Sequence, residues 1–244
     1  MEKTFYDSTP FEYGYSSKEE ILENMNSNLK EVIERSYGKT ITDVGCGCGR
    51  NLVYSSKFAQ KLIGVDLSRQ SLDFAKKFIQ SKNLELVLGN NLDIPLKDNF
   101  SDLVISDGVI HHTGDTVRAF NECIRILKPG GLLYLAVYKK YRYYPFLYKY
   151  IGVFLRLLNK TKVGNFIIEN TFVVLHFLMY KIFRKQKLSI KETRNIFYDY
   201  FITPIATFQS KKDVDIWIND SKCTLEKYDR TNGNCHVFII KKGE

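Results

Sequence analysis

Short, continuously apolar runs alternate with amphipathic stretches over the first 138 residues. Residues 17–36 (SSKEEILENMNSNLKEVIER) space their apolar positions as a helix does, with Ser16 or Ser17 as cap and Glu19 and Glu20 in the first turn. TITDV predicts a strand that runs into a glycine-rich turn. Residues 50–58 then predict a helix, KLIGVD a second strand, and residues 69–80 another helix. LELVLG and SDLVIS predict strands three and four; a helix over 115–127 stops before Lys128-Pro129-Gly130-Gly131, and LLYLAVY follows as strand five. The runs LVIS and LYLAVY lack the polar alternation of a half-exposed strand, which is how parallel strands buried on both faces read. Strands alternating with helices in this way predict a doubly wound, mostly parallel sheet.

The alternation breaks after Tyr138. Residues 139–205 predict aromatic-rich helices, among them YRYYPFLYKYIGVFLRLL and NFIIENTFVVLHFLMYKIF. The earlier pattern returns with KKDVDIWIND as a helix and two strands near 224–229 and 235–241, paired as a hairpin around Asn232-Gly233. Residues 1–138 and 206–244 therefore form one α/β domain, in which 1–36 is an N-terminal arm and helix. Residues 139–205 form a helical insertion after strand five, placed to cap the carboxyl ends of the strands, where ligands of such sheets bind.

The chain has 244 residues, 44% of them apolar, enough for a packed core. Five cysteines are scattered and odd in number, and MEKTFYDSTP does not read as a secretory leader, so a reducing cytoplasm is expected. The net charge of +9 is concentrated: between Lys139 and Arg194 stand 13 Lys/Arg against Glu169 and Glu192, a local +11 that leaves −2 for the rest. The apolar stretch 166–183 contains Glu169 and His176 and falls short of the ~20 residues of a membrane span, so no transmembrane helix is expected.

The densest chemical signal is Asp43-Val44-Gly45-Cys46-Gly47-Cys48-Gly49, where strand one hands over to a helix. Glycines there let the backbone turn tightly and approach a ligand, and the helix start offers free N–H groups. Asp66 ends strand two, where a carboxylate can accept from both hydroxyls of a ribose. A glycine turn alone is compatible with NAD, FAD or S-adenosylmethionine. Arg50 occupies the place of a dinucleotide fingerprint's third glycine, and Asp43 would repel a pyrophosphate but suits the ammonium of a methionyl group. Cys46-x-Cys48 is too closely spaced for a zinc knuckle, and no metal is expected.

ITDVGCGCGRN, VDLS (65–68), GNNLDIPLKDNFSDLVISDGVIHH (89–112) and RILKPGGLLYLAVY (125–138) together resemble the class I S-adenosylmethionine-dependent methyltransferase family over about 100 residues. The resemblance implies a Rossmann-like seven-stranded sheet and S-adenosyl-L-methionine as cofactor, with S-adenosyl-L-homocysteine as product. It implies that Asp43, Gly45, Cys46, Gly47 and Gly49 surround the methionine moiety, that Asp66 holds the ribose and that Leu67 packs on the adenine. Asn90 stands where many relatives carry an Asp for the adenine amino group, with Asn91 and Leu92 beside the ring. Ser106, Asp107 and Gly108 would border the sulfonium, and Lys128–Gly131 would be a structural turn.

His111 and His112 follow strand four, where family members line the acceptor site; either would serve as a base or simply hold the loop. Phe11–Tyr15 resembles segments that fold over the cofactor, which makes Tyr13 and Tyr15 candidate substrate contacts. The insertion joins its 13 bases to 12 Phe/Tyr. This suits a small-molecule or lipid-like acceptor with an apolar body and an anionic group, or peripheral contact with an anionic membrane. Nucleic acid is the alternative partner, with RNA methylation as the alternative activity.

Overall fold

The computed structural model describes residue 5 and residues 21–23, 25–183 and 189–244. Among them the chain divides into two compact units. One runs up to Lys140 and resumes over Ile205–Glu244; the other is Tyr141–Pro204.

The first unit carries α1 (Ser27–Arg35), β1 (Thr40–Val44), α2 (Arg50–Ser55), β2 (Lys61–Asp66), α3 (Arg69–Phe78), β3 (Leu84–Leu88), β4 (Ser101–Asp107), α4 (Thr116–Ile126) and β5 (Leu127–Tyr138). The strands form a seven-stranded sheet of order β3-β2-β1-β4-β5-β7-β6. β1 pairs in parallel with β2 and β4, β2 with β3, and β4 with β5; β7 is antiparallel to both β5 and β6. The sheet is thus the α/β, doubly wound and mostly parallel one that the continuous apolar runs imply.

Side chains alternate across it. Leu133, Leu135 and Val137 of β5 pack with Phe120 and Cys123 of α4 on one face. Leu132, Tyr134 and Ala136 pack on the other face in a layer containing Val32, Leu52 and Leu72. Burying both faces leaves only the strand ends for polar chemistry.

Two local readings need correction. The helix expected over 17–36 does not run unbroken: Asn26 takes φ −56° and ψ 131°, and its side chain accepts from Asn28 N–H to cap a new helix, α1. An Asn competes with the helix for its own backbone and starts one more readily than it continues one. The expected caps Ser16 and Ser17 lie outside the described residues. Strand five begins at Leu127 rather than after the glycines. Leu127 pairs with Ser101 and Leu132 with Leu103, so Lys128–Gly131 bulge out within the strand, with Gly130 at φ +71°.

The second unit holds α5 (Tyr143–Leu158), then α6 (Lys162–Ile167), which continues through a π-helical turn (Ile168–Phe172) into α7 (Val173–Phe183). α8 (Ile190–Phe197) continues into a second π-helical turn (Tyr198–Ile202). Glu169, in the first wide turn, accepts from Arg194 Nε (2.8 Å) and Tyr198 hydroxyl (2.6 Å), while Arg194 lies 4.1 Å over the Tyr198 ring. The helix Lys162–Ile182 extends further toward the N-terminus than the sequence suggests. Its 21 residues are long and apolar enough to cross a membrane by length and composition. The chain then returns to the first unit with α9 (Lys211–Asp220), β6 (Cys223–Asp229) and β7 (Cys235–Lys242).

Candidate functional site

The site lies at the carboxyl ends of β1, β2, β3 and β4. The first loop follows β1. Gly45 has φ +74°, and a Cβ built on it would stand 2.2 Å from Val109 Cγ1, so bare backbone is what lets this turn touch the loop after β4. Gly47, at φ +51°, has nothing within 4 Å of its missing Cβ, and neither has Gly108. These two glycines border open space rather than packing. Gly49 caps the short helix α2 in the left-handed region. Cys46 and Cys48 are buried, and burial with nearby carboxylates pushes the Cys46 thiol well up, so it packs rather than reacts.

Asp66, ending β2, is held from two sides. Gly47 N–H donates to Oδ2 and Ser68 N–H to Oδ1, both at 2.8 Å. The two amides fix the carboxylate plane, and a carboxylate at this place is of the type that accepts from hydroxyl donors. Leu67 beside it is 45% exposed, an apolar platform open to a ring.

The third loop follows β3. Asn90 Oδ1 accepts from Leu92 N–H at 2.9 Å, and Asn91 Oδ1 is buried without a partner among the described residues. The stretch after Leu92 is tied to α4. Arg118 Nε donates to Leu92 O, Glu122 accepts from Ile94 N–H, and Arg125 donates to the carbonyls of Ile94 and Leu96, all at 2.8 Å. Three charged side chains on one helix face thus pin a loop that carries three expected cofactor contacts. Their spacing in sequence is visible, but their target is not.

A compact charged cluster joins these loops. Asp43 is 1% exposed and its Oδ2 has no hydrogen-bond partner among the described residues. Burial first, and then repulsion from Asp107 and Asp66, raise its carboxyl to about 7, against the pull of Arg50 and a hydrogen bond from Asn51. Arg50 pairs with Asp107 at 2.5 Å. Ser106, between β4's core and that pair, is fully buried with its hydroxyl unpartnered among the described residues. A cavity of about 320 Å³ opens here, lined by Arg50, Asn51, Asp107, Tyr134 and Cys235. Arg50 was legible only as a departure from a dinucleotide pattern; its pairing with Asp107 needs β1 and β4 to be neighbours.

His111 and His112 sit in the 3-10 turn after β4. His111 is completely buried, its ring 3.8 Å from that of Tyr138, and burial followed by the nearby His112 holds it well below the usual imidazole range. His112 Nδ1 lies 2.7 Å from Ile205 O, and Thr207 N–H donates to His111 O at 2.9 Å. Tyr13 and Tyr15 lie outside the described residues.

The arrangement fits S-adenosylmethionine. The orphaned Asp43 oxygen calls for a donor such as an ammonium. The clamped Asp66 carboxylate accepts from vicinal hydroxyls. The open space at Gly47 and Gly108 would be filled by any side chain there. A pyrophosphate would instead face Asp43, Asp66 and Asp107.

Comparison with known proteins bears on the same residues. Residues 42–135 match a family model described as a methyltransferase domain. The chain is 34% identical over 108 residues to "Probable tRNA methyltransferase 9B" of Bos taurus, covering 43% of this chain and 22% of that protein. It is 35% identical over 100 residues to the demethylmenaquinone methyltransferase of Oceanobacillus iheyensis, covering 38% and 42%. The chain thus spans less than half the length of these relatives. Among solved structures, a Haloferax volcanii complex of the Trm112 methyltransferase activator with a methyltransferase contains a similar chain. The TM-score is 0.62 at 16% identity, with both chains covered completely. Taken with the sheet order and the glycine turn after β1, residues 42–135 match a methyltransferase domain, and the fold is that of solved methyltransferase chains.

Proposed function

We propose that the chain methylates a small-molecule or lipid-like acceptor at oxygen, nitrogen or carbon, with S-adenosyl-L-homocysteine as the other product. The observation that carries the cofactor half is the buried, unpartnered Asp43 oxygen close to the Arg50–Asp107 pair; the acceptor half rests on the aromatic, basic character of the helical unit Tyr141–Pro204. When bound, S-adenosylmethionine supplies a methyl group already activated by its sulfonium. What remains for the protein is binding and alignment, which contribute up to ~7–11 kcal/mol.

On this reading Asp43 meets the ammonium, with Gly45, Cys46, Gly47 and Gly49 as the turn around the methionine tail. Asp66 holds the ribose, Leu67 and Asn90–Leu92 border the adenine, and Ser106–Gly108 face the sulfonium. On the same reading His111 and His112 belong to the acceptor side, with His112, the less buried residue of the two, taking the acceptor's proton. Five free thiols fit a reducing cytoplasm.

Isothermal calorimetry with S-adenosylhomocysteine tests the cofactor half. Asp66→Ala should weaken binding at least about tenfold, the ~1.4 kcal/mol of one charge-assisted bond. Unchanged affinity in a folded variant removes the ribose assignment.

The relatives named for tRNA support a second reading, RNA methylation. It requires tritiated methyl to enter tRNA, with binding that weakens steeply as salt rises. Label in a small-molecule or lipid extract, and none in tRNA, supports the first.

A further inference from the structure

The helical unit Tyr141–Pro204 presents its apolar side chains on the wrong side for a soluble protein. In α5 the core face is Tyr144, Tyr148, Gly152 and Leu155. Phe146, Tyr150, Val153 and Leu157 recur at the helical period on the opposite face. They are 61%, 57%, 46% and 59% exposed. The same holds along Lys162–Ile182, where only 22% is buried and Val163, Phe166, Leu175, Leu178 and Ile182 are exposed. Isolated exposed leucines need no explanation; two helices with apolar outer faces do.

The charge around these faces has one sign. Among the described residues of the unit, Arg142, Lys149, Lys160, Lys162, Lys181 and Lys191 are exposed, and no acid is. Glu169 is spent inward on Arg194 and Tyr198. Lys149 folds back to 5.6 Å over the exposed Tyr150 ring, so charge and apolar surface are interleaved.

We propose that this unit docks on an anionic lipid surface, with the outer faces of α5 and of Lys162–Ile182 against the acyl boundary and the lysines on the headgroups. Both components are needed, since apolar area gives depth and Lys/Arg give about 1 kcal/mol each near an anionic leaflet. The other occupants fit less well. A second copy would bring the same positive rim against itself. Nucleic acid would satisfy the lysines and stack on Phe146, Tyr150 and Phe166, but leaves exposed Val153, Leu157, Leu175 and Ile182, which offer no face for stacking, in water.

The test is flotation of the full chain with vesicles of phosphatidylcholine alone or mixed with phosphatidylglycerol. The expected result is binding to the mixed vesicles, loss in high salt, and release by alkaline carbonate. Lys149→Glu should lower the partition coefficient at least about fivefold, the contribution of the one lysine lost, before the added negative charge is counted. Phe146→Glu should abolish binding while helical content by circular dichroism and the urea midpoint stay unchanged, which certifies the fold of the helical unit. Equal binding to both vesicles, carbonate resistance, or a dimer that Phe146→Glu dissociates would each overturn the proposal. Docking does not rest on methyl transfer: failure here leaves the cofactor reading intact, and the reverse.

Discussion

Asn in place of Asp43 should make the cofactor-free protein more stable at neutral pH. The wild-type carboxyl is fully buried and is raised from 3.8 to about 7, first by burial and then by Asp107, with Arg50 and Asn51 opposing. The folded protein therefore holds this proton more tightly than the unfolded chain. The stabilisation is complete below about pH 4, is lost as pH rises, and is gone above about pH 7. The difference between 3.8 and about 7 corresponds to ~4 kcal/mol. Asp43→Asn keeps the shape and cannot ionise. Urea unfolding of both proteins without cofactor, from about pH 4.5 to 8.5, yields a difference curve from which unrelated titrations cancel. The curve should start at ~1 kcal/mol near pH 4.5 and climb toward ~4 kcal/mol in favour of the variant. A flat curve would mean that Asp43 is charged at no cost, and the reading of a cluster awaiting a cation would fail.

Two further outcomes follow from the same loops. If Asp43 receives an ammonium, cofactor binding near pH 6 should release close to one proton, because a group at about 7 is ~90% protonated there. Calorimetry in buffers of different ionisation enthalpy reads this directly, and no release refutes the contact. Gly45→Ala and Gly47→Ala should separate packing from binding. The first drives a Cβ into Val109 and should cost ~2–4 kcal/mol in urea unfolding. The second meets open space and should cost only ~1 kcal/mol while weakening cofactor affinity severalfold; equal losses in both variants would contradict the assignment of that space to a ligand.

What was legible in the chain was whatever depends on neighbours in sequence. Buried strands announce themselves as LVIS and LYLAVY, and the glycine turn follows β1 in both pattern and structure. Contacts between distant segments were not legible. Leu127 reads as the last apolar residue of a helix because its partner Ser101 is 26 residues away, and the bulge at Lys128–Gly131 exists only against β4. Arg118, Glu122 and Arg125 look like a solvated helix face until the loop from Leu92 to Leu96 is laid across them. The break at Asn26 escapes the pattern for the opposite reason. Helical periodicity continues through it, and a single side chain accepting from Asn28 N–H outweighs that pattern.

The proposed base reading divides the two histidines. His111 has no exposed atom surface to offer: it is completely buried against Tyr138, and its depressed titration keeps it neutral across the physiological range. His112 differs in geometry. Its Nδ1 faces Ile205 O at 2.7 Å, and a carbonyl only accepts, so Nδ1 carries the proton and Nε2 carries the lone pair. Of the pair, His112 has the tautomer a base needs, although its Nε2 is buried like the His111 ring nitrogens, so an acceptor must displace what covers it; His111 is arranged as packing. His112→Asn separates base from support, because the Asn amide can still donate to Ile205 O where Nδ1–H did. A base role predicts turnover reduced ~10²-fold or more with cofactor affinity and urea midpoint unchanged. A supporting role predicts that Asn restores what His112→Ala loses. Full turnover in His112→Asn would remove proton abstraction from this loop and leave alignment of the acceptor as its whole contribution.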